Sequence, residues 1–252
     1  MWSFKDHFSG VSEAYSEFRP RYPEALFNFL ADIAPERRVA WDCAAGNGQA
    51  SLDLALHFDQ VIATDASEQQ LAAAPDHPKV TYLVAPAEQS GLADSSIDLI
   101  AVAQALHWFD RDAFFREAKR VLVENGVLAC WCYSAVRIPD DRALDAAQER
   151  FYNETIKGCW PPERALVDAE YTTIPFPFEE IPAPQLFIEA RWSLPRLLGY
   201  VGTWSAVSRY RKLTGSDPLP ILAESLAPHW GPPDSEHRLV WKIGIRVGRR
   251  TA

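Results

Sequence analysis

The chain has 252 residues, 48% of them hydrophobic, with nine tryptophans and a formal net charge of -9. That length and apolar content suit one large domain, or a domain carrying a big insertion, around a sizeable core. The acidic balance argues against a nucleic-acid partner, because phosphate binding needs a basic footprint, and no run of about 18 apolar residues offers a membrane span. Cys43, Cys130, Cys132 and Cys159 form no C-x-x-C pair, so neither a disulfide framework nor a metal site is expected. The first seven residues lack an apolar stretch, so no signal peptide is expected and a reducing cytoplasm fits.

Residues 1–35 precede the first predicted strand, and Phe8, Tyr15, Phe18 and Tyr22 are interleaved there with Arg19 and Arg21. Pro20 and Pro23 break any long helix, and Pro23 suits the first turn of a helix carrying Leu26, Phe27, Leu30 and Ile33. The segment reads either as packing rings with a surface ion pair or as a lid presenting an arginine to a ligand. Residues 38–43 predict a strand, 49–57 a helix, and 61–65 a second strand ending in Asp65. Between the first strand and helix lies Asp42-Cys43-Ala44-Ala45-Gly46-Asn47-Gly48, whose glycines let a backbone approach a ligand closely. The helix beyond points free N–H groups back at this loop. Strands over 79–84 and 96–102, a helix over 111–123, a turn at Asn125-Gly126 and a strand over 127–133 follow.

The alternation implies a parallel sheet with helices on both faces. Right-handed crossovers place every strand's C-terminal end on one edge, where ligands of open α/β sheets bind. That edge collects residues 42–48, Asp65, Glu88 and residues 104–108. Past residue 134 the alternation lapses. Residues 140–156 predict a helix, 158–184 are rich in proline and aromatics, 185–192 read as a strand, two or three helices follow to about 228, and 239–247 alternate as a last strand. The expected organisation is an N-terminal lid segment (1–35), a Rossmann-like core (36–134), a helical substrate-side insertion with one core strand (135–230) and a closing strand (231–252), built on a seven-stranded, mostly parallel sheet.

Asp65 falls nineteen residues after Gly46. A carboxylate at that distance, at the tip of the second strand, is where a ribose's hydroxyls sit in a doubly wound sheet, and its ionised oxygens accept from paired hydroxyl donors. The competing reading is an N-cap for the helix opening at Ser67. A dinucleotide site wants G-x-G-x-x-G, and its third glycine is absent here, the loop closing with Gln49-Ala50-Ser51.

The loop instead resembles the glycine-rich signature of class I S-adenosylmethionine-dependent methyltransferases of the type 11 domain, with Ala44 in place of its first glycine. Ala87-Glu88, residues 94–100, Ala105-Leu106-His107-Trp108-Phe109-Asp110 and residues 120–129 are similar to further segments of that superfamily. Residues 15–23 and Leu198-Gly199-Tyr200-Val201-Gly202-Thr203-Trp204-Ser205 resemble the two ends of a small-molecule subgroup related to trans-aconitate methyltransferases. The resemblance implies an S-adenosylmethionine site made by Asp42, Ala44, Gly46, Gly48, Gln49, Asp65, Ala66, Ala87, Glu88, Gln104, His107 and Trp108. Pro86 stands where many relatives carry an acid that holds the adenine amino group, which leaves adenine to the Ala87 backbone, Glu88 or stacking.

The implied reaction is methyl transfer to a small molecule, with S-adenosylhomocysteine as product. A carboxylate acceptor needs orientation by an arginine and no base. Arg19 is the candidate, with Tyr15 and Tyr22 lining the same pocket; His107 is the general base if the acceptor is a hydroxyl or amine, and otherwise walls the cofactor site with Trp108. Tyr200 and Trp204 either shape the lid or fill its core. A nicotinamide-dependent oxidoreductase on the same sheet and a non-catalytic cofactor-binding relative are the alternatives. The assembly expected is a monomer or homodimer.

Overall fold

The computed structural model describes residues 19–251. Five strands run parallel: β1 (Val39–Cys43), β2 (Gln60–Asp65), β3 (Val80–Val84), β4 (Ile97–Ala103) and β5 (Leu122–Tyr133). β6 (Glu179–Glu180), β7 (Leu186–Trp192) and β8 (His237–Arg249) complete the sheet, in which β8 lies antiparallel to β5, β6 and β7. The order is β3-β2-β1-β4-β5-β8-β6, with β7 beside β8. Apart from the two-residue β6, this is the expected Rossmann-like, mostly parallel sheet. The order reverses between β1 and β4, so the ligand crevice of such a sheet opens there.

Nine helices among the described residues flank the sheet: α1 (Glu24–Ile33), α2 (Gln49–Ala55), α3 (Glu68–Ala72), α4 (Arg111–Val121), α5 (Arg142–Arg150), α6 (Arg164–Asp168), α7 (Leu194–Gly202), α8 (Ser205–Thr214) and α9 (Leu219–Trp230). Central β4 is a near-continuous apolar run because both of its faces are covered. Leu99 and Ala101 enter one core with Leu26, Leu54, Trp131 and Trp241. Ile100 and Val102 enter the other with Trp41, Phe114 and Tyr171. The exception in β4 is the buried Asp98, whose carboxylate accepts from Arg38 N at 3.0 Å and Val39 N at 2.9 Å and so fixes the start of β1. Tyr200, Trp204, Leu226 and Trp230 of the helical insertion share the first core with Trp131 and Tyr133 of β5, so the insertion is packed directly onto the sheet.

Three details differ from expectation. β5 begins at Leu122 and passes through Asn125-Gly126 instead of starting after a turn there; Asn125 takes φ 62 and the pairing with β4 shifts register between Ile97 and Leu99. The helix expected over 140–156 ends at Arg150 and closes in a wider π-turn, Phe151–Thr155. The proline-rich stretch contains α6 and β6, each too short to leave a periodic signature.

Candidate active site

The loop after β1 turns through Ala44, Gly46 and Gly48 at φ 58, 57 and 79. Glycine adopts this left-handed geometry freely, whereas an L-residue with a Cβ is disfavoured by about 1–2 kcal/mol. Ala44 therefore carries local strain at the position where the family signature has glycine. The loop is tied to β2: Ala45 N donates to Thr64 O at 2.9 Å, and Gly46 N donates to Asp65 Oδ2 at 2.9 Å. The other oxygen of Asp65 accepts from Ser67 N at 2.8 Å. Ser67 is itself the N-cap of α3, its side chain accepting from Gln70 N at 3.3 Å. Asp65 thus braces the glycine loop, and the cap role belongs to Ser67.

Asp42 sits wholly buried beneath the loop. Its Oδ2 accepts from Ser51 Oγ at 2.6 Å, and its Oδ1 has no partner among the described residues. Burial pushes this carboxyl up to about 7; the Ser51 hydrogen bond opposes that rise and the charge of Asp65 adds to it. Glu88 accepts from Asp110 N at 2.9 Å, which steadies the residue that caps α4. Ala87 is buried beside it and Ala66 is exposed. Gln49 Nε2 donates to Pro20 O at 2.9 Å and pins the N-terminal segment onto α2.

A cavity opens at the C-terminal ends of β4 and β5. Gln104, His107 and Trp108 line it after β4, Tyr133, Ser134 and Ala135 after β5, and Arg19 from the N-terminal segment. The insertion closes it with Trp160, Pro161, Arg164, Val167, Tyr200, Trp204 and Ser205. Arg19 Nη1 donates to the Tyr133 hydroxyl, and the guanidinium carbon lies 5.9 Å from that ring's centroid. Arg164 is stacked over Trp160 at 4.7 Å and Tyr152 at 5.4 Å, with Nε donating to the Tyr152 hydroxyl at 2.7 Å and to Asp168 Oδ1 at 3.0 Å. His107 Nδ1 lies 2.8 Å from the Tyr171 hydroxyl. Burial lowers the pKa of its ring to about 3, and the charges of Arg164 and Arg111 push the same way.

Arg19, Gln104, His107 and Trp108 come together in this cavity. The half-buried Tyr22 ring packs edge-on against Trp131 at 5.6 Å and Phe27 at 6.3 Å, and lies 6.3 Å from the ring of the cavity-lining Tyr133, so it stands behind the cavity wall. Tyr15 lies outside the described residues. Tyr200 and Trp204 belong both to the core and to the cavity wall. Sequence reasoning missed the lining residues after β5, Tyr133 to Ala135, along with Ser205 and those of the proline-rich stretch, Arg164 and Trp160 among them, where no periodicity singles out a side chain.

Residues 41–130 match the methyltransferase domain family. A Dictyostelium discoideum protein named as a methyltransferase is 35% identical over 239 residues, covering 94% of this chain and 91% of its own length. The chain belongs to the class I S-adenosylmethionine-dependent methyltransferases. A solved structure of a candidate type II methyltransferase from Anaeromyxobacter dehalogenans superposes with a TM-score of 0.87 at 49% identity, over 92% of this methyltransferase and 98% of that chain. Haemonchus contortus phosphoethanolamine N-methyltransferase 2, solved with phosphomonomethylethanolamine and S-adenosylhomocysteine, shares the fold at a TM-score of 0.51 and 16% identity, over 100% of this chain and 61% of that one. The oxidoreductase alternative falls with this membership. Its structural counterpart is Ser51, which occupies the place of the third dinucleotide glycine as a buried side chain bonded to Asp42.

Proposed function

We propose that this methyltransferase acts on a small molecule and methylates one of its carboxylates. The observation that carries the reading is the charge of the cavity: Arg19 and Arg164 line it, and no carboxylate does among the described residues. A hydroxyl acceptor would have to surrender a proton, but His107 is a poor proton acceptor with its pKa near 3, and burial holds the Tyr200 phenol above its ordinary range. An ammonium acceptor would meet two guanidinium charges of its own sign. A carboxylate is ionised at neutral pH and needs only to be held in line. The similarity of residues 15–23 and 198–205 to the trans-aconitate-related subgroup supports the same reading.

The residues along the crevice suit S-adenosylmethionine. The glycine loop leaves the space beside Gly46 open, where an added Cβ would find its nearest neighbour at 3.9 Å. Asp65 offers oxygens that accept hydroxyl donors at the tip of β2, and Ala87 with Glu88 flanks the place for adenine. Held by the glycine loop, Asp65 and Glu88, the cofactor would supply an electrophilic sulfonium methyl, and its transfer to an already ionised carboxylate would give an ester and S-adenosylhomocysteine with no proton to remove. The chain's share of the work is alignment. Arg19, steadied by Tyr133, orients the carboxylate, and the insertion covers the cavity.

Arg19→Gln tests this. The variant should bind S-adenosylhomocysteine within about twofold of the parent, while kcat/KM for a carboxylate acceptor falls on the order of 100-fold, the loss expected when one buried charge-assisted contact is removed. Unchanged kcat and KM would make Arg19 a structural residue.

A further inference from the structure

Tyr171 and His107 form a contact whose proton position decides what the cavity can do. Tyr171 is wholly buried, and among the described residues its hydroxyl has one hydrogen-bond partner, His107 Nδ1 at 2.8 Å. If Nδ1 carried the hydrogen and donated to the phenol, the phenol's own hydrogen would have no acceptor in the core. If the phenol donates to Nδ1, every polar hydrogen at the contact is used, which is the arrangement that buried groups adopt. The ring proton then resides on Nε2. The ring's hydrogen bond among the described residues is the one at Nδ1, which leaves Nε2 without a protein partner there, and His107 lines the cavity. The charged and titratable groups around the ring are Arg164, Arg111 and the Tyr171 phenol; the two arginines and burial all oppose a second ring proton.

Arg164 lines the same cavity. Its Nε is committed to Tyr152 and Asp168, its face is stacked on Trp160, and its two terminal nitrogens carry no hydrogen bond among the described residues. The cavity therefore presents a neutral N–H from the sheet side and a guanidinium from the insertion.

The backbone under Tyr171 is strained to make this contact. Glu170 and Tyr171 are consecutive non-glycine residues at φ 52 and φ 60. A turn that merely ended α6 would use glycine or asparagine. Here β8 holds the turn: Lys242 Nζ pairs with the Glu170 carboxylate at 2.7 and 2.9 Å, Arg246 Nη1 donates to Tyr171 O at 3.2 Å, and Gly244 lies so close that a Cβ there would be 2.4 Å from Glu170 Cβ. Strain retained and braced in this way is characteristic of functional sites.

We propose that Tyr171 locks His107 as the Nε2–H tautomer, and that this N–H and the Arg164 guanidinium together grip an anionic group of the acceptor, so that His107 serves as a hydrogen-bond donor and not as a base. Tyr171 is then a positioning residue acting through His107. The inference rests on the carboxylate reading of the cavity, but its proton assignment can be read without any turnover.

The experiment is nitrogen NMR of the full chain labelled with ¹⁵N-histidine, with acetate as the anionic probe in the presence of S-adenosylhomocysteine. His107 should show a protonated Nε2 and a bare Nδ1 from pH 6 to 8, and acetate should shift the Nε2–H signal saturably in the parent but not in Arg164→Gln. Tyr171→Phe should yield a mixture of tautomers, and His107→Gln, which keeps a donor but cannot act as a base, should retain at least tenfold more transfer activity than His107→Leu. A protonated Nδ1, an imidazolium in that pH range, or a His107 signal indifferent to acetate overturns the inference. An acetate response without methyl transfer to any carboxylate would overturn the proposed reaction and leave the donor pair standing.

Discussion

Ala44 shows how one residue records the demands of the loop. It adopts φ 58 although its Cβ disfavours that geometry. Ala44→Gly should relieve the strain, offset in part by the larger entropy of glycine in the unfolded chain, for a net gain of about 0.5 kcal/mol in denaturant unfolding. Asp65 braces the same loop through Gly46, so Asp65→Ala should weaken cofactor binding by about tenfold in calorimetry, roughly 1.4 kcal/mol. Asp42 gives a signed pH dependence. Its folded pKa of about 7 lies above the ordinary value of 3.8, so the folded state binds the proton more tightly than the unfolded state does. The protein without cofactor should therefore lose stability as pH rises from about 4 to about 7, by up to ~1.4 kcal/mol per pH unit from this group. Asp42→Asn should flatten that slope in urea titrations across the window. These three residues were all visible in the sequence, since glycine loops and acids at strand ends have fixed spacings. The pairing of Tyr171 with His107 was not, because it joins positions 64 apart through a turn that no local pattern announces.

At the scale of elements, the parallel half of the sheet was readable strand by strand, since both-face burial writes long apolar runs such as β4. The insertion was readable as helices, a proline-rich stretch and the strand at 185–192, which the structure has as β7. Its placement is decided by tertiary contacts, such as Trp241 Nε1 donating to the Tyr200 hydroxyl at 3.0 Å. The link from β8 to the cavity is similarly invisible in one dimension, yet it makes a prediction. Gly244→Ala drives a Cβ into Glu170 and should cost about 1–3 kcal/mol, the usual penalty of overpacking. The same variant should raise KM for the acceptor more than Kd for S-adenosylhomocysteine, because the displaced turn carries Tyr171 and not the cofactor loop.

At the scale of the whole molecule, the glycine loop, Asp65 and Glu88 lie within the span that matches the family, residues 41–130. The cavity beside them draws on Gln104, His107 and Trp108 from within that span and on Arg19, Tyr133 and the insertion from outside it. The shared fold accounts for the methyltransferase class, and it does not by itself fix the acceptor. In a chain with net charge -9, the cavity is lined among the described residues by two arginines and no carboxylate, a local positive potential that the proposed anionic acceptor would meet.

The most direct measurement is methyl transfer from methyl-labelled S-adenosylmethionine, at saturating cofactor, to matched sets of small acceptors that differ only in bearing a carboxylic acid, a primary alcohol or an amine. Label should enter the acids alone, as base-labile esters, at a rate flat between pH 6 and 8 because neither acceptor nor His107 titrates there. Label in alcohols or amines, or a rate climbing tenfold per pH unit as a deprotonation step requires, would contradict a carboxylate-methylating enzyme that works without a general base.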